Sequence, residues 1–196
     1  SGTAPITLDR LTVDGGSWPL TWSTVSNWSL SLPVAAGTNH LVLAGLDRDG
    51  NPLPGASVGI DVVCTADAPS PRGWVVIHEI APNPLVPRAE FVELYNASTE
   101  FGFDLSGWIF DGLAFAFPAG SFIAPRSFLV LVQDPVAFTI AHGSSPRIFA
   151  TYAGNLRVAG ETLTLIAPGA TPAEDLVVDR VRYATAAPWP EPPRGS

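Results

Sequence analysis

Three glutamates, Glu79, Glu90 and Glu93, fall in two neighbouring runs with strand-like patterning, 74–80 and 90–96. Adjacent strands would bring their carboxylates together, with His78 and Asp104 nearby. Clustered carboxylates suit two kinds of chemistry. They can coordinate Ca²⁺ through hard oxygen ligands, or share a proton in hydrolysis, where His78, Glu79 and Glu90 would be the working groups. The competing expectation is structural. A glutamate on a covered strand can accept backbone N–H groups or pair with Arg88 or Arg126, and buried charges are rare unless paired. We therefore expect framework glutamates and no catalytic residue, and keep Glu79, Glu90 and Glu93 as candidate ligands for Ca²⁺ alone.

Other signals are thinner. His40, His78 and His142 are isolated, without HxH, HExxH or a cysteine at ligand spacing, so a zinc site is not expected. No G-x-S-x-G elbow and no phosphate-cradling glycine loop occur. Asp47-Arg48-Asp49-Gly50-Asn51 opens like a calcium loop, but Pro52 stands where an EF-hand needs glycine and Val58 where it needs glutamate. A hairpin turn is the expectation there. Asn27 and Asn96 formally match glycosylation acceptors. Among the tryptophans, Trp28 and Trp108 alternate with other apolar residues and belong in a core, whereas Trp18 and Trp22 are the candidates for a ligand contact at the surface. Cys64 ends an alternating apolar run, reads as a small buried hydrophobe and has no second cysteine to bridge.

The elements that must position these groups are strands. Hydrophobic residues make up 46% of the chain and charged ones only 14%, enough to build cores rather than a disordered chain. Twenty prolines and 18 glycines punctuate short apolar runs throughout, the pattern of an all-β protein. A net charge of −8 repels phosphate backbones and disfavours nucleic acid. No apolar run approaches the roughly 20 residues of a membrane helix, so no membrane insertion is expected. With neither a signal peptide nor a methionine, the chain reads as a piece of a larger protein whose export signal or anchor lies elsewhere.

Strands are expected near 6–13, 18–25, 28–33, 40–46 and 57–64, with Asp14-Gly15-Gly16 as a hairpin turn. In 74–80, strict alternation sends Val75, Ile77 and Glu79 one way and Val76, His78 and Ile80 the other. In 90–96, Phe91, Glu93 and Tyr95 share one face and Val92, Leu94 and Asn96 the other, which marks a central, covered strand. Further strands are expected at 109–117, 128–132, around Asn155-Leu156, at 160–166 and at 176–183, and one short helix capped by Asp134.

Two resemblances organise these elements. Trp28-Ser29-Leu30-Ser31-Leu32, Ala36-Gly37-Thr38-Asn39-His40 and Asp47-Arg48-Asp49-Gly50-Asn51 resemble the second half of bacterial immunoglobulin-like modules; the family's first strands are missing, so the module is truncated or reduced. Residues 74–190 resemble the lamin tail domain, an immunoglobulin-like β-sandwich, through Val76-Ile77-His78-Glu79-Ile80 with Asn83-Pro84, Glu90-Phe91-Val92-Glu93-Leu94-Tyr95-Asn96, Asp104-Leu105-Ser106-Gly107-Trp108, Gly160-Glu161-Thr162-Leu163-Thr164-Leu165, Val178-Asp179-Arg180-Val181 and Pro188-Trp189-Pro190. His78 departs from the asparagine or small polar residue usual in bacterial relatives. The expected organisation is an immunoglobulin-like module over 1–66, a linker at 67–73, a lamin-tail-like sandwich over 74–190 and a tail at 191–196. The resemblance implies a secreted or cell-surface protein with a non-catalytic binding, adhesion or spacing role, whose partners are a protein or polysaccharide surface and the other domains of its parent chain. Alternatives are a calcium-dependent carbohydrate or surface-binding module and a hydrolase using the His/Glu cluster.

Overall fold

A computed structural model of the chain describes residues 1–18, 20–65 and 69–184. The fold is all-β. The described residues divide into two compact units, one holding Ser1–Pro69 with Asp104–Ser106 and Pro118–Phe122, the other holding Ser70–Phe103, Gly107–Phe117 and the residues from Ile123 onward.

The first unit contains β1 (Gly2–Thr3), β2 (Arg10–Val13), β3 (Gly16–Ser17), β4 (Thr21–Trp22), β5 (Asn27–Ser29), β6 (Gly37–Leu46) and β7 (Pro52–Cys64). They form a sheet of order β3-β2-β6-β7 and a smaller one of order β1-β5-β4. Asp14 and Gly15 both have positive φ, as the tight turn between β2 and β3 requires. At the β6–β7 turn the Asp47 carboxylate accepts the backbone N–H groups of Asp49 and Asn51 at 2.9 and 2.8 Å, and these bonds, that from Asn51 foremost, hold its pKa below the usual value. The carboxylate closes its own turn, as expected of a hairpin.

Leu11, Val13 and Leu43 are buried, with Trp18, Leu20, Trp28, Leu30, Leu32 and Leu41 packed on them. The alternating Trp28, Leu30, Leu32 face is thus inward although only Asn27–Ser29 is a paired strand. The strand expected at 18–25 shrinks to Thr21–Trp22, and that at 6–13 to Arg10–Val13. Cys64 is half-buried rather than buried.

The second unit contains β8 (Val75–Ala81), β9 (Phe91–Asn96), β11 (Ile109–Asp111), β12 (Phe115–Ala116), β14 (Phe128–Val132), α1 (Pro135–His142), β15 (Ile148–Thr151), β16 (Gly160–Ala167) and β17 (Leu176–Ala184); the short β10 (Phe103–Asp104) and β13 (Phe122–Ile123) lie between them in sequence. Sheets of order β12-β11-β16-β17 and β15-β14-β9-β8 form the sandwich. Its core includes Val75, Val92, Leu94 and Leu131 from one sheet and Phe110, Leu163, Leu165 and Val178 from the other, all at most 3% exposed. Asn96 is fully buried among them, its amide donating to the carbonyls of Phe101 (2.7 Å) and Ala124 (3.0 Å), so it is no glycan acceptor.

The run 109–117 is not one strand but a hairpin, turning where Gly112 and Ala114 both take positive φ. Asn155-Leu156 is loop, whereas Ile148–Thr151 adds a parallel edge strand beside β14. Asp134 caps α1, accepting from Val136 and Ala137 N–H at 2.9 and 3.1 Å, which lowers its pKa. Ser70–Gly73 lies in this unit, and the Arg72 guanidinium donates to the Val177 carbonyl at 2.9 Å. Trp189 and the 191–196 tail lie outside the described residues.

The outer face of the β15-β14-β9-β8 sheet is unevenly covered. Phe91, Val130 and Val132 are buried beneath Phe138 of α1, whose ring meets Phe91 edge-on at 5.4 Å. Further along the same face, the cross-strand partners Tyr95 and Phe128 remain partly or largely open.

Candidate functional site on the open half of a sheet face

The site begins with an irregularity in β8. Pairing with β9 runs Ile77↔Leu94 and then Glu79↔Glu93, so His78 and Glu79 together stand opposite one residue. Such a bulge breaks the alternation of a strand and re-aims a side chain. Strict alternation put His78 and Glu79 on opposite faces; the bulge corrects this, leaving both exposed and both beside Glu93. One donor atom from each of His78, Glu79 and Glu93 lies within 4.8 Å of the other two. His78 Nδ1 is 2.8 Å from Glu93 Oε1, with side chains 48% and 20% exposed.

An aromatic cluster borders the carboxylates. Tyr95 and Phe128 stack at 4.5 Å and 24°, and the His78 ring leans on both, at 5.6 and 5.3 Å. Arg126, in the turn before β14, donates to the Tyr95 hydroxyl at 3.3 Å. Phe128 is 49% exposed. Tyr95 and Phe128 were not among the candidates, because their pairing depends on the β9–β14 register, although the alternation of 91–96 already set Tyr95 on the face of Glu93.

Glu90 does not join this group. Its Oε2 accepts the backbone N–H of Leu156 at 2.9 Å, beside a buried polar group that includes Tyr152, Glu161 and Tyr183. The Tyr183 hydroxyl is 2.9 Å from Glu161 Oε1, and burial, the largest cause, raises the pKa of both tyrosines well above the ordinary value. A calcium site from Glu79, Glu90 and Glu93 is therefore not assembled, nor is a hydrolytic group from His78, Glu79 and Glu90. The arginines are engaged elsewhere too: Arg88 faces Asp134 at 3.6 Å, and Arg126 faces Tyr95. No ion pair joins an arginine to Glu79, Glu90 or Glu93 among the described residues.

The tryptophan candidates separate. Trp18 is half-buried and packs on the Leu11, Val13, Leu43 cluster, which makes it core. Trp22 is 41% exposed and lines a shallow hollow with Pro5, Leu8 and Val25. His40 meets its cross-strand partner Asp61 at 2.6 Å on an exposed face, and His142 packs against Phe91 and Phe138.

Comparison with known families matches residues 68–185 to the Lamin Tail Domain, a span that covers β8 to β17 and every residue of the open face. The chain belongs to the lamin tail domain family. Its lamin tail unit is an immunoglobulin-like β-sandwich, a fold that serves as a binding or structural module. The match leaves residues 1–67 outside the family. No curated protein and no solved structure matches the chain. Within the lamin tail unit, Glu90 and Asn96 bond to the backbone of the framework, while His78, Glu79, Glu93, Tyr95 and Phe128 lie together on the half of the sheet face that α1 does not cover.

Proposed function

We propose that this lamin tail domain is a non-catalytic binding module of a secreted or cell-surface protein, and that its open sheet face holds a neutral polysaccharide. The observation that carries the reading is the Tyr95–Phe128 stack set beside two carboxylates on the half of the face that α1 leaves bare. An exposed ring face receives the apolar face of a sugar, and carboxylate oxygens accept sugar hydroxyls. A net charge of −8 disfavours polyanionic glycans. The first unit, whose Trp28–Leu32 and Asp47–Asn51 phrases resemble those of a reduced immunoglobulin-like module, serves as a spacer toward the other domains of the parent chain.

The test is affinity electrophoresis of the intact chain against a panel of neutral and acidic polysaccharides. At least one neutral polysaccharide retards the protein, and Phe128→Ala weakens that retention about ten-fold, or ~1.4 kcal/mol, with an unchanged melting temperature. If no neutral polysaccharide retards it, or Phe128→Ala is retained like the parent chain, the reading fails.

A further inference from the structure

We infer that His78, Glu79 and Glu93 form a mononuclear site for a divalent transition metal of the zinc class, with three protein ligands and at least one coordination position left to solvent or an external ligand. The inference does not depend on polysaccharide binding. It rests first on the donors. One imidazole nitrogen and two carboxylate oxygens converge within 4.8 Å, and a nitrogen with two oxygens suits Zn²⁺ where an all-oxygen set would suit Ca²⁺. Around a tetrahedral ion with bonds of about 2.0–2.1 Å, neighbouring donors stand about 3.3 Å apart. The separations here bracket that value, from 2.8 Å between His78 and Glu93 to at most 4.8 Å across the group, so small rotations of the three side chains, two of them on exposed residues, suffice.

A second observation comes from the sheet. Glu79 and Glu93 are direct cross-strand partners, and like charges placed opposite each other across a strand pair are destabilising. Neither has an ion pair to an arginine among the described residues, and the His78 imidazole pairs with Glu93 only. A divalent ion would neutralise both carboxylates at once.

The third observation concerns the imidazole. Tyr95 and Phe128 hold the His78 ring against the sheet with Nδ1 turned to Glu93. Part of the ordering of this ligand is thus done before an ion arrives, and such ordering of ligands by their surroundings strengthens metal binding. The bulge is what supplies the third donor, since a regular β8 would send His78 and Glu79 to opposite faces.

The experiment is isothermal titration of the intact, chelator-treated chain with ZnCl₂, and separately with CaCl₂. We expect one zinc ion per chain, calcium bound far more weakly, and a loss of zinc affinity of about ten-fold or more in both His78→Ala and Glu93→Gln. His40→Ala, at the exposed pair with Asp61, binds zinc like the parent chain. The His78 and Glu93 side chains are 48% and 20% exposed, and melting curves of the metal-free proteins verify that both variants fold. The inference is overturned if zinc produces no saturable heat, if His78→Ala and Glu93→Gln bind zinc like the parent chain, or if calcium binds as tightly as zinc. Zinc binding without polysaccharide retention, or the reverse, separates this inference from the glycan reading.

Discussion

Glu90 and Glu93 stand in the same short run of sequence but belong to different regions of the lamin tail domain. Glu90 reaches a loop backbone amide and stands next to buried tyrosines; Glu93 lies outward beside an imidazole, a second glutamate and two stacked rings. The same division runs along one sheet face, where Phe91 is closed under α1 and Tyr95 is left open. A carboxylate given a backbone N–H becomes framework, because losing it orphans a donor. A carboxylate facing another carboxylate contributes little to the fold and is free to be used.

The largest effect should come from uncovering the closed half. Phe138→Ala removes the ring packed on Phe91, Val130 and Val132 and should cost about 3–5 kcal/mol, read by urea unfolding of the lamin tail unit. A loss below ~1 kcal/mol would mean that α1 is not what closes that half. Next, Asp134→Ala removes the carboxylate that caps α1 and should cost ~1 kcal/mol, seen in the same unfolding curves. On the open half, Glu79→Gln relieves the repulsion with Glu93 and should change metal-free stability by no more than about 0.5 kcal/mol.

The buried tyrosines give the comparison a pH axis. Tyr152 and Tyr183 have pKa values raised mainly by burial, so the folded state keeps both protonated where the unfolded chain would ionise. A raised pKa means that this contribution is fully present below the unfolded value of about 10 and is lost as pH climbs toward the folded values. Stability should therefore decline above roughly pH 10, and Tyr183→Phe should flatten that decline. Because Tyr183 also bonds Glu161 and the Arg157 carbonyl, the same variant should lose about 1 kcal/mol at neutral pH.

Much of the framework was legible in the residues. Alternation in 91–96 assigned both faces of β9; Asp134 before Pro135 marked a capped helix; Asp14-Gly15 and Asp47 to Asn51 marked hairpins. What was hidden depended on register or on single backbone angles. Counting alternation cannot reveal which residue a bulge doubles, so His78 and Glu79 were sent apart. The turn inside 109–117 rests on Ala114 at φ 51°, a conformation that alanine does not advertise. Ile148–Thr151 pairs in parallel with β14, a partnership that no local turn signals. The open face was legible in part: Glu79 and Glu93 stand out in the sequence, but the Tyr95–Phe128 stack and the departure of Glu90 required the register of β9 and the path of the Leu156 loop.

The division between framework and site is tested most directly by the matched pair Glu90→Ala and Glu93→Ala, compared in one set of metal-free melting curves. Glu90→Ala leaves the partly buried Leu156 N–H without its acceptor and should lower the melting temperature by roughly 5–10 °C. Glu93→Ala loses an exposed pair with His78 and a repulsion with Glu79, and should melt within about 2 °C of the parent chain. The reverse order, or equal losses from the two variants, would contradict the account.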